Sequence, residues 1–169
     1  MTLIKLADNI IRLGTVLLAF LFPLFFLPIT TDFFNFNKLL LLLALTSIML
    51  LAWIAKMILA HSLRLTLTPF TIPFAVLTAI TTASSLIQSP AKLEAFSGRP
   101  LTLIALLLLL LIVTTNFTAA TAVKRVLTAL IASATVLSIL AIYQFLGLNN
   151  SLTPIDWLKN QAFTPTGSP

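Results

Sequence analysis

Residues 97–117 read SGRPLTLIALLLLLLIVTTNF. From Leu101 to Phe117 there is no charged residue, and the Leu, Ile and Ala are not spaced by the alternation that a barrel strand requires. A bilayer core of about 30 Å needs about 20 residues at helical rise, so an unalternating apolar run of this length reads as a membrane-spanning helix. The flanking residues agree, because Gly98 suits a turn and Pro100 suits the first position of a helix.

Outward from this stretch the same pattern recurs. Hydrophobic residues make up 59% of the 169 and charged residues only 8%, against the roughly 25% usual in soluble domains. The mean hydropathy is +1.11. Four further apolar runs, roughly Leu13 to Ile29, Leu39 to Leu59, Phe70 to Ile87 and Val126 to Leu148, give about five spans in all. Backbone polar groups in hydrocarbon must satisfy one another internally. The expected fold class is therefore all-α, a polytopic membrane helix bundle. Residues 1–12 form an amphipathic lead-in, 13–148 the five-helix region, and 149–169 an outside interfacial helix and loop. The first span follows Lys5 and Arg12 as a secretory signal would, but no small-x-small cleavage site comes after Leu27, so it reads as a retained helix.

Several chemistries are excluded early. With no cysteine there is no disulfide, redox pair or thiolate metal site, and the single His61 cannot by itself make a His-based one. No cofactor is expected. The net charge of +6 does not point to nucleic acid, because the basic residues are scattered at helix ends. Orientation explains them better. Alternating the loops puts Lys5, Arg12, Lys56, Arg64, Lys124 and Arg125 on one side, and Lys38, Lys92, Arg99 and Lys159 on the other. The first set faces one acid, Asp8, and the second faces three, Asp32, Glu94 and Asp156. The Lys/Arg bias predicts a cytoplasmic N-terminus.

Individual features have mostly structural readings. In the lead-in, Leu3, Leu6, Ala7 and Ile10 share one helical face, a pattern for a helix lying in the interface. Pro23 and Pro28 are positioned to kink the end of the first span. Phe33, Phe34 and Phe36 serve as interfacial anchors, or else line a mouth for an amphiphilic lipid with Lys38 near its phosphate. Lys56 beside Trp53 reads as a snorkelling residue near a span end. Thr78, Thr81, Thr82 and Ser85 share a face that packs on another helix or lines a cavity. In the fifth span, Thr128 with Ala132, Ala129 with Ser133 and Ala134 with Ser138 permit close helix approach and read as bundle contacts. No span holds an Asp, Glu, Arg or His, which weakens a transporter reading. After Leu148, Thr153, Pro154 and Asp156 open a short surface helix. The closing AFTPTGSP is a loop of the kind that leads into a further element, so a continuation of the protein is expected.

No phosphate loop, metal spacing or nucleophile with its base occurs, and no residue is assigned as catalytic. The stretch that does suggest binding is SPAKLEAFSGRP, residues 89–100. Its plain reading is a polar turn with an interfacial Arg. Its functional reading is that Arg99, a fork-shaped donor suited to phosphate oxygens, holds the pyrophosphate of a lipid carrier with help from Lys92, while Glu94 orients them.

The order of these features resembles a family. A basic start, FPLFFLPITTDFFNFNKLLLLL after a first span, SGRP before a Leu-rich fourth, and FTPTGSP after a fifth look like the N-terminal part of bacterial O-antigen ligase/polymerase-type membrane proteins. The resemblance covers nearly all of the chain and rests on layout and three short loops. It implies a glycosyltransferase of the cytoplasmic membrane that takes glycan from an undecaprenyl-pyrophosphate carrier and passes it to an acceptor outside. Family members have further helices and a large later outside loop bearing the Arg and His linked to catalysis. This sequence has no such loop, and His61 falls on the cytoplasmic side. The alternatives from other classes are a small structural subunit packed on a membrane-protein partner, and a transporter half.

Overall fold

In a computed structural model, residues 2–25, 35–62, 65–117 and 120–146 are described. They form six helices: α1 Thr2–Leu24, α2 Asn35–Leu59, α3 Thr71–Gln88, α4 Lys92–Ser97, α5 Arg99–Asn116 and α6 Ala120–Phe145. Among the described residues there is no strand. Five stretches are long and apolar enough to cross a membrane: Leu3–Leu24, Phe36–Leu59, Thr71–Gln88, Lys92–Asn116 and Ala120–Tyr143. The all-α, five-span architecture expected from the sequence is the one observed. Pro28, Phe33, Phe34, Arg64 and the surface helix expected after Thr153 lie outside the described residues.

Two differences from the expected boundaries are instructive. The lead-in and first span form one uninterrupted helix, α1, and the buried positions in its first half are Ala7, Ile11, Gly14 and Thr15, while Leu3 and Leu6 are exposed. Of the expected face Leu3–Leu6–Ala7–Ile10 only Ala7 is buried, and the buried face runs on through Ile11 and Gly14, where small residues allow another helix to approach. Residues 89–100, expected as a loop, contain the short helix α4, and only Ser89 to Ala91 and Gly98 fall outside helices there.

By internal contacts the chain divides into two units, Met1–Thr15 with Leu42–Val123, and Val16–Leu41 with Lys124–Pro169. In the first, Leu42, Thr46, Met49 and Trp53 recur at i, i+4, i+7, i+11 and form the buried stripe of α2. Met49 meets α1 at Gly14. A Cβ added there would stand 2.8 Å from Met49 Cγ and 2.9 Å from Sδ, so any larger residue has to displace the Met49 side chain. The Thr15 hydroxyl, which donates to the Ile11 carbonyl at 2.8 Å, also lies 3.5 Å from Met49 Sδ. In the same unit α3 packs against α5, and α4 packs on both. In the second unit the buried side chains are Leu18, Asn37, Ala129 and Ser133.

The end of α2 shows why it stops where it does. His61 has φ 45°, in the left-handed region, its N–H donates to Ile58 O at 3.2 Å, and the Ser62 N–H donates to Met57 O at 3.4 Å. This paired return of N–H groups onto the last carbonyls is a Schellman cap, built here with His where Gly is usual.

Candidate functional site

Gly98, at φ −85° and ψ −121°, interrupts what would otherwise be one helix from Lys92 to Asn116. The break places Lys92 on α4 and Arg99 at the first position of α5, with Pro100 buried behind it. The Thr102 hydroxyl and N–H both donate to Gly98 O, at 3.1 and 3.3 Å, which is the first hydrogen-bonded turn of α5, and no side chain caps its N-terminus. Lys92, Glu94 and Arg99 are all exposed, and among the described residues none of them makes an ion pair. Leu93 beside them is 86% exposed, so apolar and basic groups are presented together at this end of the span. An anionic amphiphile needs both. Lys38, the third basic residue singled out, lies in the first turn of α2 and belongs to the second unit.

Arg99 recurs on α5 with Leu106, Leu110 and Val113, at i, i+7, i+11 and i+14, so all four share one helical face. The last three form one wall of an apolar groove of about 620 Å³ whose other wall is Phe70, Phe74 and Leu77 near the start of α3. At 1.5 Å per residue, the groove begins about 10 Å along α5 from Arg99 and ends about 21 Å from it.

The opposite end of α5 holds a polar cluster that sequence reasoning missed. Lys56 Nζ donates to Asp8 Oδ1 at 2.5 Å and to Asn116 Oδ1 at 2.7 Å, joining α1, α2 and α5, and Asn116 Nδ2 donates to Ile112 O at 2.8 Å. The Lys56 and Asp8 side chains are 27% and 32% exposed. Snorkelling accounted for Lys56 singly. Its partners lie 48 and 60 residues away, with no local spacing to reveal them. Next to this cluster the extended residues before α3 are pinned to α5, Thr66 N–H donating to Thr115 Oγ1 at 3.3 Å and Thr114 Oγ1 donating to Thr66 O at 3.2 Å.

On the hydroxyl stripe of α3, Thr78 is buried and Thr81, Thr82 and Ser85 are partly so. Its hydrogen bonds stay at home, however. Thr78 donates to Phe74 O at 2.8 Å, Thr81 to Leu77 O at 2.8 Å and Thr82 to Thr78 O at 2.7 Å. Among the described residues no three His, Cys, Asp or Glu side chains gather to hold a metal.

These helices, their lengths and their apolar surfaces define a multi-pass helical membrane protein with faces suited to lipid contact. Comparison with family models, with curated proteins and with solved structures finds no match.

Proposed function

We propose that the chain supplies donor-holding helices to a glycosyltransferase resembling the bacterial O-antigen ligases and polymerases, in which glycan leaves an undecaprenyl-pyrophosphate carrier on the outer side of the cytoplasmic membrane. The observation that carries this reading is the α4–α5 break, where Arg99 and Lys92 are exposed beside Leu93 at the end of a span. A pyrophosphate has oxygens enough for the Arg99 fork and a point charge from Lys92 together, and charge-assisted bonds of this kind contribute about 1.5–3 kcal/mol each. The catalytic Arg and His that the resemblance implies are not among these residues.

The test is donor turnover by the complete protein. Arg99→Ala is expected to lower use of the lipid-linked donor by about tenfold or more, the loss of one charge-assisted bond, while Lys159→Ala leaves it near wild type. Equal activity of the two variants would remove Arg99 from the site.

A second reading, a structural subunit, has one observation in its favour. On α6 the Ala129–Ser133 pair is buried within the chain, but Thr128 with Ala132 and Ala134 with Ser138 are exposed. Small residues four apart let another helix approach closely. A stoichiometric membrane partner that co-purifies with the chain and is lost in Ala132→Leu would favour this reading.

A further inference from the structure

The first turns of α1 carry a basic face that the reading above leaves unused. Lys5, Asn9 and Arg12 stand at i, i+4 and i+7 on one side of the helix, and all three are exposed, as are Leu6 and Leu13 next to them. Among the described residues neither Lys5 nor Arg12 makes an ion pair. Asp8, the one acid of α1, is held by Lys56, and Glu94, the other described acid, lies on α4 beyond the opposite end of α5. The face therefore holds two cations and no available carboxylate. Depth gives that surplus its consequence. The 18 residues of α5 rise about 27 Å, close to a hydrocarbon thickness of about 30 Å, so with Arg99 at one membrane boundary Asn116 stands near the other. Lys56 binds Asn116 and Asp8 together, which sets Asp8 near that boundary as well. From there α1 runs inward, since Gly14 meets Met49, which precedes Lys56 on α2 by two turns. Arg12, one turn or about 6 Å past Asp8, thus enters hydrocarbon on an outward face with no partner from the described chain. A lone guanidinium at such depth is costly and reaches back to the interface.

We infer that Lys5, Asn9 and Arg12 bind the headgroup of an anionic phospholipid in the leaflet at the N-terminal end of α1. Side chains on a helix lean toward its N-terminus, so Arg12 runs back out of the hydrocarbon toward the level of Asp8, where headgroup phosphates lie. Its guanidinium fork suits two phosphate oxygens, the Asn9 amide between the two cations has a further donor, and Lys5 adds a point charge about 10 Å along the axis. Leu6 and Leu13 offer an acyl chain apolar surface beside them. Charge selects among the lipids. A zwitterionic headgroup brings a cation of its own, and this face has no carboxylate to receive it, because Lys56 already holds Asp8. A headgroup of net negative charge brings none and offsets the surplus left by that ion pair.

The test is native mass spectrometry of the full chain released from nanodiscs that hold phosphatidylglycerol and phosphatidylcholine in equal amounts. The wild type is expected to retain phosphatidylglycerol about tenfold over phosphatidylcholine. Arg12→Gln should cut that retention about tenfold and Lys5→Gln about fivefold. Lys124→Gln with Arg125→Gln removes two exposed cations of α6 that are adjacent in sequence and point to diverging faces, and should leave retention near wild type. Arg12→Lys keeps the charge without the fork and should fall between Arg12→Gln and the wild type; it carries the same comparison if Arg12→Gln shifts the unfolding midpoint. Equal retention of the two lipids by the wild type overturns the anionic occupant. Retention that survives both α1 substitutions, or that falls as far in the α6 pair, overturns the site. A dimer of the chain that forms without retained lipid and is lost in Arg12→Gln would give the face to a second copy and overturn the lipid.

Discussion

At the C-terminal end of α5, Asn116 shares the Lys56 ammonium with Asp8, whereas at the N-terminal end Arg99 and, across Gly98, Lys92 are exposed and, among the described residues, without an ion pair. One helix therefore carries charge at its two ends in opposite ways. At the clasped end two of the ammonium's three donors are taken up by two other helices, and removing either charge leaves the other partly buried without its partner. At the open end no described residue pairs with the charge, and the side chains of Lys92 and Arg99 are exposed. Charge committed to architecture and charge available for binding look alike in a sequence; partners separate them.

The sharpest way to break this comparison is to remove each cation. Lys56→Ala leaves Asp8 partly buried and alone, and is expected to cost about 2–3 kcal/mol, between the values for exposed and fully buried pairs. Thermal unfolding in detergent measures it, and Asp8→Asn with Lys56→Gln together should recover a good part of the loss. Arg99→Ala should leave the unfolding midpoint where it was. If both ends respond equally, the distinction between them is void.

Close to the clasped end, Gly14→Leu drives a side chain into Met49, where even a Cβ meets Cγ at 2.8 Å. Overpacking of this kind costs about 1–3 kcal/mol. A neutral result by the same unfolding measurement would mean that α1 and α2 do not approach at Gly14. Smaller and opposite in sign is Thr46→Val. The Thr46 hydroxyl is buried, and among the described residues it has no hydrogen-bond partner, so an apolar group of the same shape should gain about 1 kcal/mol. The smallest effect belongs to the α2 cap. His61→Gly relieves a side chain held at φ 45° and should stabilise by a few tenths to about 1 kcal/mol, whereas His61→Val, β-branched in the left-handed region, should destabilise. Denaturant midpoints of the two variants on the same side of wild type would contradict the cap.

The candidate site was legible in part. Arg99 and Lys92 stand out because charge is scarce in this chain, and scarcity is a property of the sequence. The groove below Arg99 was not legible, since Leu106 and Leu110 look no different from the Leu residues around them and only the neighbouring Phe70, Phe74 and Leu77 make a wall of them. The small-residue pairs of α6 show the same limit. All three pairs have equal spacing, yet Ala129–Ser133 is buried and the other two are exposed, because spacing says that a helix can be approached and not from which side.

By itself, then, the sequence determined that this chain is helical, that it carries five stretches able to span a bilayer, and where most of them start and stop. Hydropathy, run length and Pro or Gly at the ends are local quantities, and the bilayer turns them directly into structure. The tertiary structure alone decided how each helix is rotated, which polar groups meet, and which apolar faces stay open. In helices apolar on nearly every side there is no wet face to set the rotation, so close packing at Gly14 and long-range partners such as Asp8 and Asn116 for Lys56 set it instead.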